Sequence, residues 1–247
     1  MSVGSGRTCI FCRRSPVTRE HIIPRWVADL ILRDPRAKTL LRPIEHQRRS
    51  DIGTVTWRSD NIDVRAKCVC RDCNQGWMSQ IEGDAQALIR PMIMGQRVTL
   101  DTFAQKKVAT WVALRALVSR HINEPVIPAD EEWLNDFYRH RSPPETCYQW
   151  IIAYDGTQPF YYAGNDITVA IEPGNPIDPD DTPHGILMTL AIGYFAAKVL
   201  WVRKGEPNKP APPGLLRIWP PSSAPVLWPQ KILDNRGLWQ LMAWFLV

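Results

Sequence analysis

Two cysteine pairs of the form Cys-x2-Cys lie far apart in this chain, at Cys9 and Cys12 and again at Cys70 and Cys73. Each such turn can present two thiolates to one metal ion, and four thiolates around one Zn²⁺ make a closed tetrahedral site. A site of this kind would hold an N-terminal knuckle against the start of a helix near residue 70. The cysteine pattern therefore predicts that one structural zinc organises the first third of the fold.

Three polar residues stand beside these pairs. Glu20 and His21 open the segment Glu-His-Ile-Ile-Pro between the two pairs, and Asn74 follows Cys73 directly. Histidine has an ordinary pKa of about 6.5, so its neutral form can accept a proton at neutral pH. Carboxylate and amide oxygens are ligands for hard divalent cations. Asn74 could also serve as a helix N-cap, a role that does not exclude metal ligation.

Taken together, these motifs resemble the HNH endonucleases of the ββα-metal, or His-Me finger, type, in the zinc-stabilised four-cysteine branch. The resemblance covers residues 7–90. It implies an α+β fold with a treble-clef-like HNH domain, and it implies an enzyme that hydrolyses phosphodiester bonds. Its expected products are a 5′-phosphate and a 3′-hydroxyl.

Carried over to this chain, the resemblance assigns a role to each residue. Cys9, Cys12, Cys70 and Cys73 would hold the structural Zn²⁺. His21 would be the general base, while Glu20 and Asn74 would hold a catalytic Mg²⁺ or Mn²⁺. The expected partner is nucleic acid, most simply DNA.

Two alternatives stay open on the sequence alone. The same frame could be a non-catalytic zinc module that binds nucleic acid or protein, in which case His21 and Glu20 would be dispensable. The same site could also cleave RNA, because the chemistry at phosphorus does not depend on the sugar.

Charge is unevenly distributed along the chain, whose formal net charge is +5. Residues 1–90 hold 16 Lys and Arg against 10 Asp and Glu, whereas residues 91–247 hold 14 against 15. The excess positive charge therefore lies in the segment with the cysteine motifs, as expected for a segment that meets phosphates. Residues 33–50 contribute six of these cations and read as an insertion, either a phosphate-contacting arm or a solvated loop.

Composition favours a cytoplasmic protein that makes no membrane contact. No apolar run approaches the roughly 20 residues needed to cross a bilayer, and residues 1–7 lack an apolar signal core. In the cytoplasm, six cysteines are better explained by metal binding than by disulfides.

A shift in composition after Gly95 predicts two domains. The resemblance implies an HNH domain over residues 1–95, and an α+β domain of helices and an antiparallel sheet is expected over residues 96–247. The expected helices cover about residues 25–32, 70–90, 103–122 and 129–140, and Asp101 or Thr102 is expected to cap the third. Residues 53–58 and 62–69 are predicted to form a hairpin, and residues 34–50 a loop. Further strands are expected over residues 148–154, 160–163, 167–171, 186–192, 195–203 and 215–219, with a helix or strand over 237–247.

Overall fold

The computed structural model describes most of the 247-residue chain. The residues described are 7–33, 44–50, 53–59, 65–121, 131–157, 160–168, 184–202, 207 and 210–244. Of the predicted basic insertion, residues 34–43 lie outside these ranges.

The described residues contain the following helices: α1 Arg25–Ile31, α2 Arg71–Cys73, α3 Ser79–Ile93, α4 Thr102–Ser119, α5 Glu131–His140 and α6 Asn235–Ala243. A π-helical turn over Asn74–Met78 joins α2 to α3. Asp101 caps α4 as predicted, since its carboxylate accepts a hydrogen bond from the Ala104 amide at 2.7 Å. Helix α3 runs two residues past Pro91, beyond the predicted end of that helix.

The strands are β1 Val17–His21, β2 Ile44–Ser50, β3 Gly53–Ser59, β4 Arg65–Cys70, β5 Val98–Leu100, β6 Cys147–Tyr154, β7 Phe160–Thr168, β8 His184–Ile192, β9 Phe195–Val202, β10 Leu216–Trp219, β11 Val226–Trp228 and β12 Ile232–Leu233. All of the described strand pairs are antiparallel except β12 with β6.

The predicted hairpin of residues 53–58 with 62–69 is wrong. Strand β3 pairs instead with β2, which lies in the segment expected to be a loop, and only two residues separate Ser50 from its partner Gly53. Strand β4 pairs with β1, with Val17 opposite Cys70 and His21 opposite Arg65. This pairing brings the second cysteine pair beside the first, a long-range constraint that local turn signals do not contain.

The large sheet has the strand order β10-β6-β9-β8-β7, with β12 also paired to β6. Strands β6 and β9 are buried along their whole length. Successive side chains of a strand point to opposite faces of its sheet, so burial throughout a strand means that both faces are covered. One face packs with α4 in the main core, and the other packs with α6 through Leu238, Leu241 and Trp244.

Helix α4 lies at the centre of the molecule. Every residue from Val108 to Ser119 is buried, which matches the lack of a polar face on this helix. It packs against α3 on one side and against β9 and β10 of the large sheet on another. A single cluster of buried apolar side chains extends from Cys9 to Trp228 and includes residues from both predicted domains.

The architecture is thus α+β with antiparallel sheets, as the coarse prediction states. None of the helices within the described ranges is both long enough and apolar enough to cross a bilayer.

Candidate functional site

The four predicted zinc ligands form one cluster. The Sγ atoms of Cys9, Cys12, Cys70 and Cys73 all lie within 4.8 Å of one another, and Cys12 Sγ is 3.4 Å from Cys70 Sγ. Four thiolates at about 2.3 Å from Zn²⁺ in tetrahedral geometry are separated by about 3.8 Å. The cluster therefore fits a metal ion such as zinc with only small shifts of the sulfur atoms.

Backbone hydrogen bonds shape the knuckle that carries the first two cysteines. The Cys9 amide donates to the Arg14 carbonyl at 2.8 Å, and the Arg13 amide donates to the Cys9 carbonyl at 3.0 Å. The Ile10 amide donates to the carbonyl of Cys68 at 2.9 Å, which ties the knuckle to β4. Cys68 itself is not part of the cluster, as predicted.

The second cysteine pair starts a helix. Cys70 ends β4 and is the N-cap residue of α2, and Cys73 ends α2 before the π-helical turn. Trp77 in that turn packs edge-on against Phe11 of the knuckle, with ring centroids 4.9 Å apart. Burial raises the pKa of the Cys73 thiol, so a bound cation is what would keep this sulfur a thiolate at neutral pH.

The predicted catalytic residues line one open cleft of about 540 Å³ beside the cysteine cluster. Glu20 and His21 reach it from the end of β1, and Asn74 reaches it from the first residue of the π-helical turn. Six further residues, from β1, from α1 with its N-cap and from α3, line the cleft: Arg19, Pro24, Arg25, Trp26, Asp29 and Glu82. Arg19 and Arg25 are exposed.

Glu20 is held in a buried ion pair that the sequence did not predict. Arg115 of α4 donates from Nη1 to Glu20 Oε1 at 3.2 Å, and the two side chains are only 1% and 7% exposed. The same Nη1 donates to the His21 carbonyl oxygen at 2.9 Å. A guanidinium from the second predicted domain therefore contacts both residues of the Glu-His pair.

Glu82 is the second carboxylate on this guanidinium. Arg115 Nη2 lies 3.2 Å from Glu82 Oε1, and the Glu82 side chain remains 24% exposed at the cleft. Burial raises the pKa of Glu82; the positive charge of Arg115 opposes this shift, and the negative charge of Glu20 adds to it. One positive charge thus stands between two carboxylates.

The cleft offers oxygen ligands, but fewer than a closed metal site has. Among the residues that the structure describes, the four cysteines are the only group of three or more Cys, His, Asp or Glu side chains close enough to share an ion. Glu20 and Asn74 line the cleft with a carboxylate and an amide group, two of the group types that hard cations use as ligands.

Sequence reasoning named Glu20, His21 and Asn74, which line the cleft, but did not name Arg115 or Glu82. Arg115 had a signal, because it is the one charged residue in the run from Val108 to Ser119. A charge at the centre of a buried helix requires a partner. Glu82 had no such signal, since carboxylates along the surface of a helix are common.

Fold and site together define an α+β protein in which a four-cysteine cluster that could hold a metal ion lies beside a polar cleft. Comparison of the chain with protein-family models, with curated proteins and with solved structures gave no match. The resemblance to HNH endonucleases therefore rests on the residues themselves.

Proposed function

We propose that this protein is a metal-dependent endonuclease that hydrolyses phosphodiester bonds in DNA. One observation carries the proposal: Asn74 and the adjacent pair Glu20 and His21, which lie more than 50 residues apart in sequence, line a single cleft beside the four-cysteine cluster. The proposal is also supported by the pairing of β1 with β4 and by the helix that follows β4 directly, although α1, β2 and β3 lie between the two paired strands in sequence.

His21 is the general base of the proposed reaction. Its imidazole accepts a proton from a water molecule as the water oxygen forms a bond to phosphorus. The bond from phosphorus to the 3′ oxygen breaks, and that oxygen takes a proton from solvent. The products are a 5′-phosphate and a 3′-hydroxyl.

Glu20 and Asn74 would hold a divalent cation, Mg²⁺ or Mn²⁺. When bound, such a cation supplies charge stabilisation for the phosphorus centre and the leaving oxygen. Arg19 and Arg25 are exposed at the rim of the same cleft, where their positive charges would attract the phosphates that flank the scissile bond. The four cysteines would hold zinc in a purely structural role.

A second candidate function is supported by the ion pair of Glu20. Because Arg115 already pairs with this carboxylate, the frame would also suit a non-catalytic zinc module that binds nucleic acid or protein. In that case Glu20 would stabilise the fold and would bind no cation. Cleavage of RNA by the same site is the variant of the first proposal that differs only in substrate.

The direct test compares plasmid DNA and a structured RNA as substrates for the zinc-loaded protein, with Mg²⁺ or Mn²⁺ added. His21→Ala should lower the cleavage rate by about 10²–10⁴-fold, because a general base acts mainly in the transition state. His140→Ala is the matched control, since His140 is exposed at the end of α5 and does not line the cleft.

Three outcomes separate the candidates. Loss of cleavage in His21→Ala alone supports the DNA endonuclease, or the RNA-cleaving variant if only RNA is cut. Binding of nucleic acid without any cleavage by the unaltered protein supports the non-catalytic module. Equal cleavage rates in His21→Ala and His140→Ala contradict the assigned role of His21.

A further inference from the structure

Arg115 is a charged residue in the middle of a buried helix, a position that requires specific partners for the charge. It lies in the middle of α4 between Leu114 and Ala116, and its side chain is 1% exposed. Burial of a charge among apolar side chains is costly unless the charge is paired and hydrogen-bonded. The cleft is the place where Arg115 finds those partners.

The contacts of Arg115 converge on the end of β1. Nη1 donates to Glu20 Oε1 and to the main-chain carbonyl of His21, at 3.2 and 2.9 Å. His21 is the last residue of β1, so this bond fixes the main chain where the strand ends. Side-chain orientation at Glu20 and main-chain position at His21 therefore depend on one guanidinium.

Charge in the cleft also depends on Arg115. Its single positive charge faces Glu20 and Glu82, so the group of three has a net charge of −1 when both carboxylates are ionised. Glu20 uses Oε1 for Arg115, and the residue also lines the cleft. Nη1 donates the hydrogen bonds to Glu20 and to the carbonyl, while Nη2 contacts Glu82 as an ion pair without a hydrogen bond. A planar guanidinium can hold these contacts at once, whereas a lysine ammonium is a point charge without that geometry.

We infer that Arg115 is a positioning residue of the cleft: it fixes Glu20 through Oε1 so that the second carboxylate oxygen binds the divalent cation, and it anchors the main chain at His21. This inference rests on the proposed function, because it assigns a role toward the cation of that site. It also makes helix α4, which belongs to the second predicted domain, part of the active centre.

The test substitutes Arg115→Lys, which keeps the charge and removes the forked donors. Mn²⁺ is titrated into zinc-loaded protein, and paramagnetic broadening of the Asn74 side-chain amide resonance is followed by nuclear magnetic resonance. The Mn²⁺ concentration for half-maximal broadening should rise about 10- to 100-fold in Arg115→Lys, the range found when groups that orient metal ligands are removed. Lys107→Met is the matched control, because Lys107 is an exposed cation of the same helix that pairs with Asp84 of α3 at 3.7 Å.

Cleavage kinetics give a second measurement. In Arg115→Lys, kcat should fall at least about tenfold at saturating cation, while KM for DNA changes less than about twofold. The carbonyl ¹³C shift of selectively labelled His21 should move as well, since it loses the guanidinium donor. A residue that only stabilised the fold would lower the melting temperature and leave kcat unchanged well below it.

The results distinguish this inference from the proposed function. If the unaltered protein cleaves nothing but binds Mn²⁺ more tightly than Arg115→Lys does, the nuclease proposal fails and the role of Arg115 stands. If the Mn²⁺ titrations coincide, or if the unaltered protein binds no Mn²⁺ in the cleft, the inference on Arg115 is overturned. Wild-type kcat in Arg115→Lys also overturns it.

Discussion

Arg115 and Lys198 are each about 1% exposed, yet the two side chains are surrounded differently. Arg115 faces two carboxylates, whereas Lys198 Nζ donates to the Thr189 hydroxyl at 3.0 Å and to the Met242 carbonyl at 2.9 Å. In the described part of the chain no carboxylate pairs with Lys198. Burial accordingly lowers the pKa of Lys198 to about 7.

This depressed pKa predicts a dependence of stability on pH. In the unfolded chain a lysine titrates near pH 10.4, so between about pH 7 and 10 the unfolded state holds a proton that folded Lys198 has lost. The contribution of this residue to the free energy of unfolding must then rise with pH, by at most about 1.4 kcal/mol per pH unit. Below pH 7 both states are protonated and the contribution is constant.

Urea unfolding of the unaltered protein and of Lys198→Met at pH 7 and 9.5 measures this effect. The free energy of unfolding of the unaltered protein, relative to the variant, should increase by up to about 3 kcal/mol between these values. Lys107→Met, which removes an exposed lysine, should show no such change. Identical pH dependence in both comparisons would mean that Lys198 remains protonated in the fold.

Single residues were predicted from the sequence to different degrees. Spacing alone identified the four cysteines, because a metal centre needs a fixed set of donors in a fixed order. Glu20, His21 and Asn74 were named from their position beside those cysteines; all three line the cleft, and their roles stay predictions. Arg115 is 95 residues from Glu20 in the chain, and no local pattern specifies that contact.

At the level of secondary structure, the helices were predicted best. Helix α4 follows from its apolar run and from Asp101, which satisfies an amide of the first turn. The pairing of β1 with β4 was not predicted, because strand partners are chosen by long-range contacts. Here the cysteine cluster and the hydrogen bond from Ile10 to Cys68 select the partner.

Cys70 joins two elements, since it ends β4 and caps α2. Cys70→Ala should reduce the zinc content from about one ion per chain to near zero and should lower the melting temperature, because three thiolates leave the tetrahedral site incomplete. Zinc is measured by native mass spectrometry and stability by calorimetry.

Cys68→Ala is the matched control for this prediction. Cys68 is buried in the same strand but lies outside the cluster, so its variant should keep the metal. Equal zinc content in the two variants would remove Cys70 from the ligand set.

The two predicted domains, residues 1–95 and 96–247, share one hydrophobic core. Buried apolar residues of α3 and α4 belong to one cluster, and the turn between β8 and β9 docks on the end of α3, where the Tyr194 amide donates to the Ile93 carbonyl at 2.9 Å. A Cβ at Gly193, whose φ is +57°, would lie 2.5 Å from that carbonyl oxygen. Close packing at this turn therefore depends on glycine.

Expressing the predicted domains separately tests whether residues 1–95 need the shared core in order to fold and to form the cleft. A fragment of residues 1–95 would expose the face of α3 that packs against α4, and it would leave Glu20 and Glu82 without Arg115. Loss of one partner of a buried ion pair typically costs about 3–5 kcal/mol, which is comparable to the total stability of a small domain. We therefore expect the zinc-loaded fragment alone to show poorly dispersed amide resonances and no Mn²⁺ site.

Co-expression with a fragment of residues 96–247 should restore well-dispersed resonances and the Mn²⁺ site, because the second chain supplies α4. A well-folded fragment 1–95 that binds Mn²⁺ as tightly as the full chain would establish that this fragment folds on its own and that α4 is not required for the cleft.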